Sequence, residues 1–149
     1  IHRTGVINVD AKVQDATVYD PDSEQAADIV IADVPCSGYG DIGKKPEIKY
    51  RATPQKQEEI VMLKRMILDK AAKYVKPDGT LIFSTCTIAR EENEENVLWF
   101  LKNYPFRLES LDPYIPEELH CKSTKLGYLQ LLPGIHKTDG FFIARFRRK

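Results

Sequence analysis

Two short apolar runs constrain this chain most: Asp28-Ile29-Val30-Ile31-Ala32-Asp33 and Thr80-Leu81-Ile82-Phe83-Ser84. Each is short and uninterrupted, the pattern of a strand buried on both faces. Between them the spacing predicts a helix. Thr53-Pro54 offers a capping hydroxyl followed by proline at the first helical position. Ile60, Leu63, Ile67, Ala71 and Tyr74 then recur at helical spacing until Pro77-Asp78-Gly79 ends the stripe. Strands joined through a long helix pair in parallel, which sets the class as α/β.

The rest of the chain extends that plan. A second helix is predicted from about Arg90 to Asn103, with Glu91, Glu92, Glu94 and Glu95 near its positive end. Val9 to Val13 alternates and reads as a short strand, and Phe106 to Leu111 reads as another. Tyr128 to Leu132 and Phe141 to Phe146 flank a turn-rich stretch and suggest an antiparallel pair. The expectation is a mainly parallel sheet closed by a C-terminal antiparallel hairpin. At 149 residues, 42% apolar and 30% charged, the chain is the size of one globular domain. No stretch nears the ~20 apolar residues that span a bilayer, so no membrane is expected. Three cysteines make no disulfide framework and point to a reducing, cytoplasmic setting. Lysine plus arginine balances aspartate plus glutamate at 22 each, which removes a global basic charge as an argument for nucleic acid but leaves room for a local basic groove.

Ligands of open α/β sheets sit beyond the carboxyl ends of the strands. Here those ends are unusual: Asp33-Val34-Pro35-Cys36 follows one strand, and Ser84-Thr85-Cys86-Thr87 the next. If the strands are neighbours, both thiols face one crevice. Zinc wants four ligands at short local spacings, and no such spacing occurs. A redox dithiol is usually close in sequence, and these cysteines are fifty residues apart. Nucleophilic catalysis with a second thiol assisting remains. Cys86 lies just before a predicted helix start, which favours a thiolate. Lys44, Lys45, Lys49 and Arg51 could supply positive potential and hold phosphates. Cys121 has no partner pattern and reads as a small buried hydrophobe.

These residues also carry a resemblance. Asp33-Val34-Pro35-Cys36-Ser37-Gly38-Tyr39-Gly40, followed by Lys45-Pro46-Glu47-Ile48-Lys49-Tyr50, resembles the Pro-Cys motif of the Nol/Nop/Sun family of RNA cytosine-5 methyltransferases. Ser84-Thr85-Cys86-Thr87-Ile88 with Glu91-Glu92-Asn93-Glu94 resembles the family's Thr-Cys motif, and Gly134 to Arg145 its closing hairpin. The likeness is strongest to the bacterial Sun/RsmB-type enzymes acting on small-subunit ribosomal RNA. It implies a Rossmann-like fold and S-adenosylmethionine as cofactor. By resemblance Cys86 is the nucleophile that adds to carbon 6 of cytosine, and Cys36 assists product release. Asp33 would lie against the target base or the cofactor, Pro35 against the cofactor, and Asp15 matches the acidic position that contacts the adenine. Lys44, Lys45, Lys49 and Arg51 would contact the RNA backbone, or else form an ordinary solvated surface.

The sequence also departs from the family. Gly5 is the only glycine in the first 37 residues, so the glycine-rich cofactor loop and its strands are missing. Residues 1–149 thus read as the C-terminal portion of one methyltransferase catalytic domain, inactive alone, and its first sheet edge is expected to attract another chain. Two other readings stay open: a related methyltransferase acting on a nitrogen, which needs no thiol, and a non-catalytic fragment that binds RNA or a partner.

Overall fold

The computed structural model describes residues 5–51 and 53–149, and all of their side chains except that of residue 51. In chain order the elements are β1 (Ala27–Asp33), a short α1 (Ile48–Arg51), α2 (Pro54–Tyr74), β2 (Val75–Thr85), α3 (Glu94–Asn103), β3 (Phe106–Leu108), α4 (Lys122–Leu126), β4 (Tyr128–Leu131) and β5 (Phe141–Arg148). The five strands form one sheet in the order β1-β2-β5-β3, with β4 also paired to β5. β1 pairs in parallel with β2, while β5 pairs antiparallel with β2, β3 and β4. Four strands therefore run one way and β5 alone runs against them. The expected α/β class, the largely parallel sheet and the closing hairpin are all present.

Local chemistry explains the elements. The Thr53 hydroxyl accepts from the Lys56 amide at 3.2 Å and Pro54 opens the helix, so α2 starts where its capping signal lies. It ends at Tyr74, and Pro77-Asp78-Gly79 falls inside β2, where the pairing jumps from Ala27↔Val75 to Ile29↔Thr80 and the intervening residues bulge out. The second helix begins later than expected: Arg90–Glu92 is a 3₁₀ turn, and α3 starts at Glu94. β3 stops at Leu108, and the remainder of the expected strand loops away.

One face of the sheet carries Val30 and Ala32, Leu81 and Phe83, Phe142, Ala144 and Phe146, and it packs against Leu68, Ala71 and Ala72 of α2 and Val97 and Phe100 of α3. Phe100 is the hub, with ring centroids 4.9 Å from Phe146, 5.1 Å from Phe106 and 4.8 Å from Tyr104. The opposite face behaves differently. On β2, Thr80 and Ser84 are buried, as a strand covered on both sides requires. On β1, Ile29 and Ile31 are 63% and 70% exposed. That corrects the reading of β1 as buried on both faces: an apolar run reports apolar faces, and no described residue covers the second one. Among the described residues β1 is also a sheet edge, pairing only with β2. Residues 9–13 are irregular and exposed, with no strand, because their alternation finds no partner strand. Among the described residues no helix is long and apolar enough to cross a membrane.

Candidate active site

The register Asp33↔Ser84 ends β1 and β2 side by side, so the two loops that follow leave the sheet together. Cys36 and Cys86, far apart in sequence, are brought to an Sγ–Sγ distance of 2.8 Å, both half-buried and both free thiols. The crevice expected from the sequence exists. Asp33 is exposed at the end of β1 and its Oδ1 accepts from the Ser84 hydroxyl at 2.8 Å. Pro35 is exposed in the loop beyond it. A cleft of about 240 Å³ opens beside Cys36, lined by Ser37, Tyr39, Ile48, Lys56 and Gln57.

The loop after β2 is held by a buried polar hub. Asn93 accepts from the Thr85 hydroxyl at 2.7 Å and donates to the Thr87 carbonyl at 2.9 Å and to Gln130 Oε1 at 2.8 Å. Thr85, Thr87 and Asn93 are all fully buried. The Cys36 loop is fastened to this hub: the Ser37 hydroxyl meets that of Thr87 at 2.8 Å, and the Gly40 amide donates to the Cys86 carbonyl at 3.0 Å. Gly140, at the entry to β5, donates its amide to the Gly40 carbonyl at 3.0 Å. A Cβ on Gly40 would sit 2.1 Å from the Gly140 oxygen, so the two backbones meet only because both residues are glycine.

The electrostatics correct one expectation. Burial pushes the Cys86 thiol up to about 12, and Cys36, as hydrogen-bond partner and as neighbouring charge, pushes the same way, as does Asp41. The helix whose start was expected to favour the thiolate begins only at Glu94. The loop lysines are partly spent on carboxylates: Lys44 pairs with Asp139, and Lys45 lies 3.6 Å from Asp41. Lys49 stands over the Tyr50 ring at 4.9 Å. The side chain of Arg51, assigned to the same basic group, lies outside the described residues. Asp15 is exposed; its Oδ1 accepts from the Thr17 amide and hydroxyl, which lowers its pKa. It stands at a cleft of about 230 Å³ whose wall is Val30, Ile31, Ala32, Ile67 and Tyr74. Cys121 is exposed rather than buried, at the start of α4, with its sulfur against the Ser123 hydroxyl.

Set beside known proteins, this arrangement has close counterparts. The sequence model of the 16S rRNA methyltransferase RsmB/F family matches residues 1–147. The chain belongs to this family. Ribosomal RNA small subunit methyltransferase F of Cronobacter sakazakii is 37% identical over 150 residues, covering 99% of this chain and 31% of that protein. The protein of the same name from Escherichia coli is 35% identical over 153 residues, with the same coverage. Among solved structures, PH0851 matches with a TM-score of 0.84 and 40% identity over 99% of this chain and 32% of that one. NSun6 from Pyrococcus horikoshii with SFG matches with a TM-score of 0.76 and 28% identity over 99% of this chain and 36% of that one. The chain spans about a third of the length of the curated relatives it matches.

Within the RsmB/F frame, some residues that shape the site escaped the sequence reading. Glu92 was counted among the carboxylates at a helix start, yet it is fully buried beneath the cysteine loops. Lys64, also fully buried, pairs with it at 2.7 Å. A signal existed: Lys64 lies four residues from both Ile60 and Leu68, in phase with the buried stripe of α2, where a lysine has no ordinary reason to be. A cavity of about 640 Å³ lies elsewhere, against Ile29, Ile82 and Tyr114 on the open sheet face, and no cysteine lines it.

Proposed function

We propose that the full-length protein transfers a methyl group from S-adenosylmethionine to carbon 5 of cytosine in RNA through a covalent cysteine–cytosine adduct. Residues 1–149 supply the C-terminal portion of its catalytic domain. The observation that carries this reading is the pair of thiols at the ends of two adjacent parallel strands. Small-subunit ribosomal RNA, the substrate in the relatives' names, is the proposed substrate class, and the cytoplasm the proposed compartment.

Carbon 5 of cytosine is a poor nucleophile. Addition of the Cys86 sulfur to carbon 6 forms a C–S bond and makes carbon 5 enamine-like. S-adenosylmethionine, when bound, supplies the electrophilic methyl that carbon 5 takes up. Release then requires the carbon-5 proton to leave. Its bonding electrons regenerate the double bond, the C–S bond breaks, and Cys86 departs as thiolate. Cys36, in contact with Cys86, is placed to take up that proton in its thiolate form, ending as the thiol. Because Cys86 is held protonated at rest, addition has to be coupled to loss of its own proton, and activity should rise with pH across the neutral range. Asp33, beside the crevice, faces the base or the reacting end of the cofactor.

The cleft at Asp15 fits an adenine: it has an apolar wall for the ring and a carboxylate to accept from an exocyclic amine. At about 230 Å³ it lies below the roughly 300 Å³ at which sites for whole ligands begin, so it suits one end of the cofactor only. Asp15 is assigned to that end and Pro35, in the loop beyond β1, to the cofactor, and the chain on its own is expected to be inactive. Lys44, Lys45, Lys49 and Arg51 are assigned to the RNA backbone, and the target base reaches the crevice unstacked.

The test uses the full-length protein with transcribed 16S ribosomal RNA and radiolabelled cofactor. Cys86→Ala should abolish methylation and adduct, and Cys36→Ala should make an RNA–protein adduct survive denaturing gels. Methylation by Cys86→Ala, or an adduct mapping to Cys36, would overturn the assignment. A nitrogen methyltransferase or a non-catalytic binder would yield no adduct with either protein.

A further inference from the structure

We propose that Glu92 is the positioning residue for the Cys36 loop, and that Lys64 is its buried counter-charge. Together they hold Cys36 where product release requires it. The inference rests on the cysteine roles proposed above.

The geometry is specific. The Glu92 carboxylate accepts three hydrogen bonds: from Lys64 Nζ at 2.7 Å, from Gln57 Nε2 at 2.9 Å, and from the backbone amide of Ser37 at 3.1 Å. Lys64 and Glu92 are both fully buried. The amide it captures belongs to the residue directly after Cys36. Glu92 itself ends the 3₁₀ turn that follows the Cys86 loop, where its carbonyl accepts from Asn96 Nδ2 at 3.0 Å. One carboxylate thus ties the Cys36 loop, α2 and the segment after Cys86 into a single block.

Stability alone gives a poor account of this pair. A buried ion pair is often no better than apolar residues of the same volume, since both charges lose their water. What an apolar pair could not do is grip a loop amide. A loop that leaves an edge strand and contains Gly38 in the left-handed region needs such a grip. The pair also bears on charge in the crevice. Burial draws the Lys64 ammonium down towards losing its proton, while Glu92 and then the two cysteines pull it back. The charged form of Lys64 and a thiolate at either sulfur therefore favour one another.

The test compares wild type, Cys36→Ala, Glu92→Leu, and the charge-free pair Lys64→Met with Glu92→Leu, all in the full-length protein with transcribed 16S ribosomal RNA. The readout is trapped adduct per methyl transferred. A defect in folding alone lowers adduct and turnover together and leaves this ratio unchanged. A positioning defect raises it. We expect at least a tenfold rise in Glu92→Leu, approaching Cys36→Ala, and faster amide exchange in the peptide containing residues 34–40. The charge-free pair removes the stranded ammonium and should recover the thermal midpoint without recovering release. If Cys36→Ala traps adduct while the folded charge-free pair releases product at the wild-type ratio, the role assigned to Glu92 is wrong. If Cys36→Ala itself traps nothing, the cysteine roles fall, and this inference with them.

Discussion

The two loops that carry the thiols are built in opposite ways. The Cys86 loop continues β2, which has a neighbour on each side, and its polar groups close on a fully buried asparagine. The Cys36 loop leaves β1, an edge among the described residues, and borrows its order. Val34 donates to the Ser84 carbonyl, Ser37 to Glu92, and Gly40 to the Cys86 carbonyl. Each of these holds lands on the Cys86 strand or just beyond it. The proposed nucleophile sits on the fixed element and the thiol proposed to assist it on a loop moulded against it, so damage should propagate from the first to the second and not the other way.

The largest effect should come from breaking the template. Asn93→Ala leaves the buried Thr85 hydroxyl without a partner and the Thr87 carbonyl with only the longer bond from Gln130 Nε2 at 3.3 Å, at a cost of about 2 kcal/mol. Urea unfolding should register it, and adduct formation and release should fail together. A stability loss below about 1 kcal/mol would mean that the hub is not what orders the loops.

Next comes Gly40→Ala, which drives a methyl into the Gly140 and Cys86 carbonyls. The loop has to lift away at a cost of about 1–3 kcal/mol. Methylation should drop steeply while Cys86, on its own rigid strand, still forms adduct. Loss of adduct in proportion to methylation would contradict the proposed dependence of one loop on the other.

Cys36→Ala removes a group that raises the Cys86 pKa, so the sign is downward: the Cys86 midpoint should fall below about 12. One unit would mean about ten times more thiolate at pH 8. Iodoacetamide labelling of Cys86 across pH measures this directly, and slower labelling at pH 8 would reverse the sign. The smallest effect belongs to the rim. Asp139→Asn frees Lys44, an exposed partner, so the melting temperature should not move. The salt dependence of RNA binding should steepen by about one unit of log–log slope if Lys44 meets a phosphate.

Much of this was legible in the residues themselves. Two apolar runs flanking a capped helix dictated the parallel pair, and parallel pairing alone brings Cys36 and Cys86 to one end of the sheet. What stayed hidden depended on distance in three dimensions. Lys64 and Glu92 look like surface charges in sequence, because nothing local says that their side chains meet indoors. The raised Cys86 pKa follows first from burial and then from Cys36 and Asp41 across the crevice, none of which a linear reading places there. Val9 to Val13 misled for the converse reason: alternation describes a strand's faces but cannot supply a partner.

β5 has a consequence for how the molecule is made. It is the last strand in the sequence, yet it lies between β2 and the pair β3 and β4, which among the described residues join the sheet only through it. As the chain leaves the ribosome, β1, α2 and β2 can assemble as a unit while β3 and β4 wait without partners. The open edge of β2, bearing Leu81 and Phe83, stays unpaired until residues 141–148 arrive. Pairings across such long sequence separations form slowly, and a waiting edge is a place where chains stick to one another. Slow synthesis, or a lesion in β5, should therefore show first as aggregation and only afterwards as lost methylation.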